Sequence, residues 1–178
     1  MRVVWASLWT RRAALSRRQA GIPHAQVHVA VLIQPMLTPD VSFVLHTVNP
    51  LNRDGRHVYT EIAVGLGETL ASAGEHGSPY RFICDKSSGA TTTLALANFS
   101  HALRPDPAGG VRRAVVDYSQ ISLSCDGDAR KQLGKRLAAS ARFVEEALQK
   151  PQDIEGAVVG DEIFLVQSRP QQGLQERP

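Results

Sequence analysis

Four side chains near the end of the chain, Asp153, Glu155, Gln167 and Arg169, are of types that could grip a metal–phosphate group. They stand in "PQDIEGAVVGDEIFLVQSRP", residues 151–170. Mg2+ takes hard oxygen ligands, commonly one or two carboxylates, with phosphate oxygens and water completing its shell. Glu155 offers charge, Gln167 a neutral amide oxygen, and Asp153 a further oxygen, as a ligand or in support of one. Arg169 offers a planar fork that matches phosphate oxygens. Side chains alternate faces along a strand, so Asp153 and Glu155 share a face, as do Gln167 and Arg169. Whether the two pairs meet depends on the turn. A two-residue loop separates Glu155 from Gln167, whereas a three-residue loop on 159–161 or 160–162 puts all four on one face. Taken alone, the stretch reads more simply as a half-exposed hairpin with solvated polar residues.

Two more stretches could serve a nucleotide. "GLGETL", residues 65–70, is a glycine turn entering a helix, where backbone amides can approach an anion. Glu68 in that first turn already compensates the helix dipole, and could instead hold a metal or a ribose hydroxyl. "LIQPM", residues 32–36, reads as a strand against which an adenine could lie. Pro35 has no N–H, so Met36 would supply the donor. By themselves these are a tight turn and a core strand. No P-loop or dinucleotide fingerprint accompanies them.

Other chemistries lack support. No serine sits in a nucleophile elbow, and the 6 histidines are scattered. His46 lies mid-strand and reads as a satisfied sheet residue. No zinc spacing occurs, and Cys84 and Cys125 read as buried thiols. No alternating basic–aromatic stretch suggests nucleic acid, and no apolar run approaches the roughly 18 residues of a membrane helix. The net charge of +3 suits a polyanionic ligand without specifying one.

The elements that must position these residues form an α+β chain. Hydrophobic residues make up 43% of the sequence, enough for a core. A helix is expected over 5–19, and strands over 27–36, 41–50, 57–64, 80–85, 91–97, 111–118 and 121–125. A short helix follows the glycines at 65–74, and 104–110 reads as a loop. The longest helix, 128–149, carries Leu133, Leu137, Ala141, Val144 and Leu148 as an apolar stripe, with Asp126 or Asp128 as its cap. The arginine-rich, acid-poor start has the composition of a transit peptide or of an internal helix.

Taken in order, these pieces resemble the ATP-binding domain shared by pyruvate phosphate dikinase, phosphoenolpyruvate synthase and the starch dikinases. That domain is an ATP-grasp fold, an antiparallel-rich mixed sheet with packed helices. The matching stretches are "VWAS" with "RRA", "VAVLIQPM", "SFVLHTVNP", "YTEIAVGLGETLAS", "PQDIEG" and "IFLVQSRPQ". Within the family, "FVLHT", "LALANFSHAL", "VVDYSQISLSCD" and "RKQLGKRL" are similar to the phosphoglucan, water dikinases. The glucan, water dikinases are near neighbours through "GLGETL" and "PQDIEG".

The resemblance implies a phosphotransferase with ATP and Mg2+. The β-phosphate of ATP passes to an enzyme histidine and then to phosphorylated α-glucan, while the γ-phosphate goes to water. It places Asp153, Glu155 and Gln167 at the metal, Glu155 and Arg169 in the transfer, and Gln34, Met36 and Glu68 around the nucleotide. Pro35 departs from the family pattern. No histidine here matches the phosphohistidine motif, so that residue, the starch-binding module and the other wall of the ATP site are expected upstream. A C-terminal fragment of a plastid enzyme is therefore expected, inactive by itself, with 1–26 a helical segment of a truncated domain, 27–172 the ATP-grasp part and 173–178 a flexible tail. The N-terminal arginines then belong to a helix within the domain. The rivals are a pyruvate-acting dikinase and a non-catalytic nucleotide-binding fragment.

Overall fold

The computed structural model describes residues 1–71 and 76–174. The polypeptide divides into two compact units, Met1–Met36 and Leu37–Pro178. The sequence reading places its first boundary after residue 26. Residues 72–75 of the expected 65–74 helix, and residues 175–178 of the expected tail, lie outside the described residues.

In the first unit the expected single helix is two, α1 (Arg2–Ser7) and α2 (Arg11–Gln19). Thr10 divides them. Its backbone is extended and its hydroxyl accepts from Ala13 N, so it caps a new helix instead of continuing the old one. Arg17 is buried, donates to His24 Nδ1 and lies over the Trp9 ring. The strand expected over 27–36 is a correction. The segment forms no regular element, and Leu32, Ile33 and Met36 are largely exposed. Among the described residues no strand pairs with it, and an apolar run without a ladder partner does not become a buried strand.

The second unit is built on a six-stranded antiparallel sheet. Its strands are β1 (Val41–His46), β2 (His57–Val64), β3 (Tyr80–Asp85), β4 (Thr91–Ala95), β7 (Gln152–Val159) and β8 (Glu162–Pro170), in the order β4-β3-β2-β1-β7-β8. A separate hairpin joins β5 (His101–Pro105) to β6 (Val111–Val115). The sequence reading missed β5 and placed its end in a loop. It also read 121–125 as a strand, whereas Ser122–Cys125 is the short helix α4, and a brief apolar run cannot distinguish the two by periodicity. α3 is the single turn Glu68–Ala71.

The long helix α5 spans Gly127–Leu148, capped by the Asp126 side chain, which accepts from Asp128 N. Leu133, Leu137, Ala138, Ala141 and Val144 recur at helical spacing and are buried. They share one core with Phe43, Leu45, Ile62, Phe82, Cys84 and Ile154. Alternation then sends Val44, His46, Tyr59, Glu61, Arg81, Asp153 and Glu155 to the opposite face. Gln149 ends α5 in a left-handed conformation, and Pro151 leads directly into β7. Among the described residues, no helix is long and apolar enough to cross a membrane.

Two features of the core are open to measurement. Gly156 pairs with Phe43 in the ladder, and a Cβ there would lie 2.2 Å from Phe43 Cζ and 2.6 Å from the Phe164 carbonyl oxygen. Gly156→Ala is therefore expected to cost about 2–3 kcal/mol by overpacking, lowering Tm by roughly 5–10 °C. An unchanged Tm would show that the strands separate at no cost. The two cysteines differ, which corrects the expectation that both are buried: Cys84 is buried and Cys125 exposed. Burial pushes the Cys84 thiol up to about 11. Iodoacetamide at pH 8 should label Cys125 alone in the native chain, and both residues after denaturation.

Candidate functional site

The β7–β8 hairpin turns on two residues, Gly160 and Asp161, with Val159 paired to Glu162. A regular ladder from that loop would set Glu155 opposite Val166 and send Gln167 and Arg169 to the α5 side. A β-bulge intervenes. Gly156 pairs with Leu165, but Glu155 pairs with Gln167, leaving Val166 as the extra residue. Asp153 then pairs with Arg169. The four residues share the face opposite α5, through a bulge and not through the three-residue loop that the sequence suggested.

The two pairs are unlike. Arg169 donates from Nε and Nη2 to one oxygen, Asp153 Oδ2, at 2.8 and 2.7 Å. Asp153 is only 7% exposed, while the Arg169 side chain is 57% exposed. The hydrogen bonds it donates to Asp153, then the charges of Asp153 and Glu155, hold the guanidinium above its ordinary range. Glu155 is half-buried and Gln167 exposed, and neither side chain has a hydrogen bond or ion pair with any described residue. Among the described residues, their oxygens are uncommitted and reach solvent, unlike the buried Oδ1 of Asp153. Among the described residues, no group of three or more His, Cys, Asp or Glu could hold a metal ion. A hard cation placed here would therefore take Glu155 and Gln167 and complete its shell from elsewhere, which is how Mg2+ is ordinarily bound.

Several contacts hold β8 in place. Ser168 Oγ donates to Gln152 Oε1 at 2.9 Å. Gln171 accepts from Val48 N and donates to the Val48 carbonyl, and its own backbone N–H reaches the Pro151 carbonyl. Gln152 N in turn donates to Thr47 Oγ1, and Thr47 donates to Glu145 of α5. The end of β8 that carries Arg169 is thus tied to β1, β7 and the helix.

The glycine turn packs against the same face. Ser42 Oγ donates to the Gly65 carbonyl at 2.7 Å, and a Cβ on Gly67 would touch Ser42 Cβ at 3.5 Å. Ser42 pairs with Ala157, one position further along this face than the Val44–Glu155 pair. Gly65 has a φ of 78°, and a Cβ on it would lie 2.2 Å from the Leu103 carbonyl oxygen, so only glycine fits. The turn is less free as an anion cradle than its sequence suggests. Gly65 N donates to the Asp40 carbonyl and Leu66 N to that of Leu103. Glu68 is exposed. Gln34 and Met36 belong to the first unit, where they lie in no regular element.

Sequence reasoning missed the neighbours across the sheet. His46 pairs with both Asp153 and Tyr59, and its ring stacks near that of Tyr59. The Tyr59 hydroxyl donates to Glu61 Oε1 at 3.0 Å, and Arg81 Nε donates to the same oxygen at 2.8 Å. Burial, then the Glu61 charge, pushes the Tyr59 phenol up to about 12. Same-parity spacing along β1 and β2 was the available signal, but it is usable only once the strand order is known.

The whole chain, residues 1–178, matches the family model for the pyruvate phosphate dikinase AMP/ATP-binding domain. An alpha-glucan water dikinase of Solanum tuberosum is 33% identical over 94% of this chain and 13% of its own length. Alpha-glucan water dikinase 2 of Arabidopsis thaliana is 34% identical over 94% of the chain and 15% of its own length. A rifampicin phosphotransferase of Bacillus cereus is 32% identical over 93% of the chain and 18% of its own length. The chain thus spans less than a fifth of each of these relatives. The α+β architecture agrees with the ATP-grasp-like fold that the resemblance implied, and ATP is the expected substrate of such a domain. The chain belongs to the pyruvate phosphate dikinase AMP/ATP-binding domain family, whose members among its relatives are dikinases and phosphotransferases.

Proposed function

We propose that this chain supplies the phosphate-facing wall of an ATP site in a dikinase acting on α-glucan. The observation that carries the reading is the cross-strand pairing of Glu155 with Gln167 and of Asp153 with Arg169 on one face, within a chain of this family. Phosphoryl transfer needs positioning and charge neutralisation more than covalent chemistry from the protein. Arg169 keeps its fork aimed because Asp153 anchors it, and so offers fixed positive charge to the transferring group. Glu155 and Gln167 would hold Mg2+, whose chemistry is to bridge and neutralise phosphate oxygens. Asp153 serves better as the anchor of Arg169 than as a direct ligand, since one oxygen is taken and the other is buried. Glu68, Gln34 and Met36 complete the nucleotide contacts in this reading.

In the whole protein the β-phosphate of ATP passes to a histidine outside these residues and then to glucan, with water taking the γ-phosphate. The glucan acceptor rests on the relatives named alpha-glucan water dikinase, and a plastid location on those among them named chloroplastic. A phosphorylated glucan is the acceptor favoured by the stretches similar to phosphoglucan, water dikinases. A second reading, transfer to a different hydroxyl acceptor, is favoured by the rifampicin phosphotransferases at comparable identity.

Isothermal titration of Mg-ATP into the full-length protein tests the nucleotide site. Arg169→Ala should weaken binding about 10- to 100-fold, the loss of charged hydrogen bonds. Glu155→Gln should raise the Mg2+ concentration needed for half-maximal binding while leaving metal-free binding unchanged. Wild-type affinity and metal dependence in both variants would remove this face from the site. The acceptor is tested by incubation with β-labelled ATP: label in glucan supports the first reading, and label in a small hydroxylated acceptor with none in glucan supports the second.

A further inference from the structure

His46 lies mid-strand in β1, where alternation puts it on the face opposite α5, directly across from Asp153. A histidine in such a place is ordinarily satisfied by a neighbour. Here, among the described residues, two buried atoms are left without a partner, and they face each other. Neither His46 Nδ1 nor Asp153 Oδ1 makes a hydrogen bond with any described residue, and the distance between them is 3.6 Å. That is about 0.5 Å beyond a hydrogen bond, and it is too short for a water to stand between them. A carboxylate oxygen buried without a donor is costly, and so is a buried ring N–H without an acceptor. One small closure satisfies both.

We propose that His46 is a positioning residue for the Asp153–Arg169 pair, donating Nδ1–H to Asp153 Oδ1. The carboxylate then lies between two donors of different kinds. Oδ1 takes the imidazole, and Oδ2 takes both Nε and Nη2 of Arg169. Rotation of the Asp153 carboxylate would break both contacts together, so the imidazole fixes the angle at which the guanidinium is presented. The ring itself is held by the ladder and by Tyr59, whose centroid lies 6.2 Å away at an interplanar angle of 30°. Tyr59 is tied through its hydroxyl to Glu61, and Glu61 to Arg81. A file of side chains thus crosses the sheet from β3 to β8 and ends on Arg169. The hydrogen bond selects the ring tautomer with its proton on Nδ1. The pairing stands on geometry alone, while its consequence for phosphate binding rests on the nucleotide-site reading.

The test has two arms. In the first, the chain is labelled with 15N-histidine and the His46 ring nitrogens are read by NMR. A proton on Nδ1 is the expected result, and a ring protonated on Nε2 alone overturns the pairing. In the second, Mg-ATP affinity of the full-length protein is measured for His46→Leu and His46→Asn. Asparagine places an amide N–H where Nδ1 stood, so it should bind within about threefold of wild type, while leucine loses about tenfold. Asparagine as weak as leucine, with both variants folded by circular dichroism, overturns the positioning role. Wild-type affinity in His46→Leu does the same. A full-length wild-type protein that binds no Mg-ATP removes the nucleotide reading and this consequence with it, and the first arm still decides the pairing.

Discussion

One unpaired residue in one strand governs the candidate site. Without the bulge at Val166, the two-residue loop of the β7–β8 hairpin would direct Gln167 and Arg169 to the α5 side of the sheet, away from Asp153 and Glu155. Asp153, nearly buried, would then lose the guanidinium that pairs with it, and an unpaired buried carboxylate is costly. With the bulge, Arg169 meets Asp153 across the ladder, and a nearly buried carboxylate gains its ion pair. The ion pair and the bulge are therefore one device. Each makes the other favourable, and Glu155 and Gln167 are brought together as the next rung.

The rest of the unit supplies rigidity to that rung. α5 buries its apolar stripe against one side of the sheet and leaves the other side for polar chemistry. β7 is central, with β1 and β8 on either side, so Asp153 and Glu155 stand on a strand hydrogen-bonded along both edges. Such a strand can hold side-chain geometry more tightly than a loop could. The exposed side chains of the site are those on β8, Gln167 and Arg169.

Family membership and geometry answer different questions. Membership makes the chain an ATP-binding domain of dikinase type. The geometry says which side chains are committed to the protein and which remain available. Asp153 is committed, to Arg169. Glu155 and Gln167 are not. The relatives differ in the acceptor that their names state, glucan in one group and rifampicin in the other, at similar identity over the same residues.

Much of this protein follows from local pattern. The alternation of β2 and β3, the stripe and Asp126 cap of α5, and the Asp153–Glu155 and Gln167–Arg169 parities are all set by residue spacing, because a strand repeats every two residues and a helix every 3.6. What lay beyond local pattern needed a neighbour. Residues 27–36 have the composition of a strand, but strand formation requires a partner ladder, which composition does not contain. The short run 121–125 became helix because its surroundings decided between two forms of equal local merit. The bulge at Val166 and the meeting of His46 with Asp153 were decided by tertiary structure alone. Register and strand order are relations between distant segments, settled by which side chains can be buried together, and no single segment encodes them.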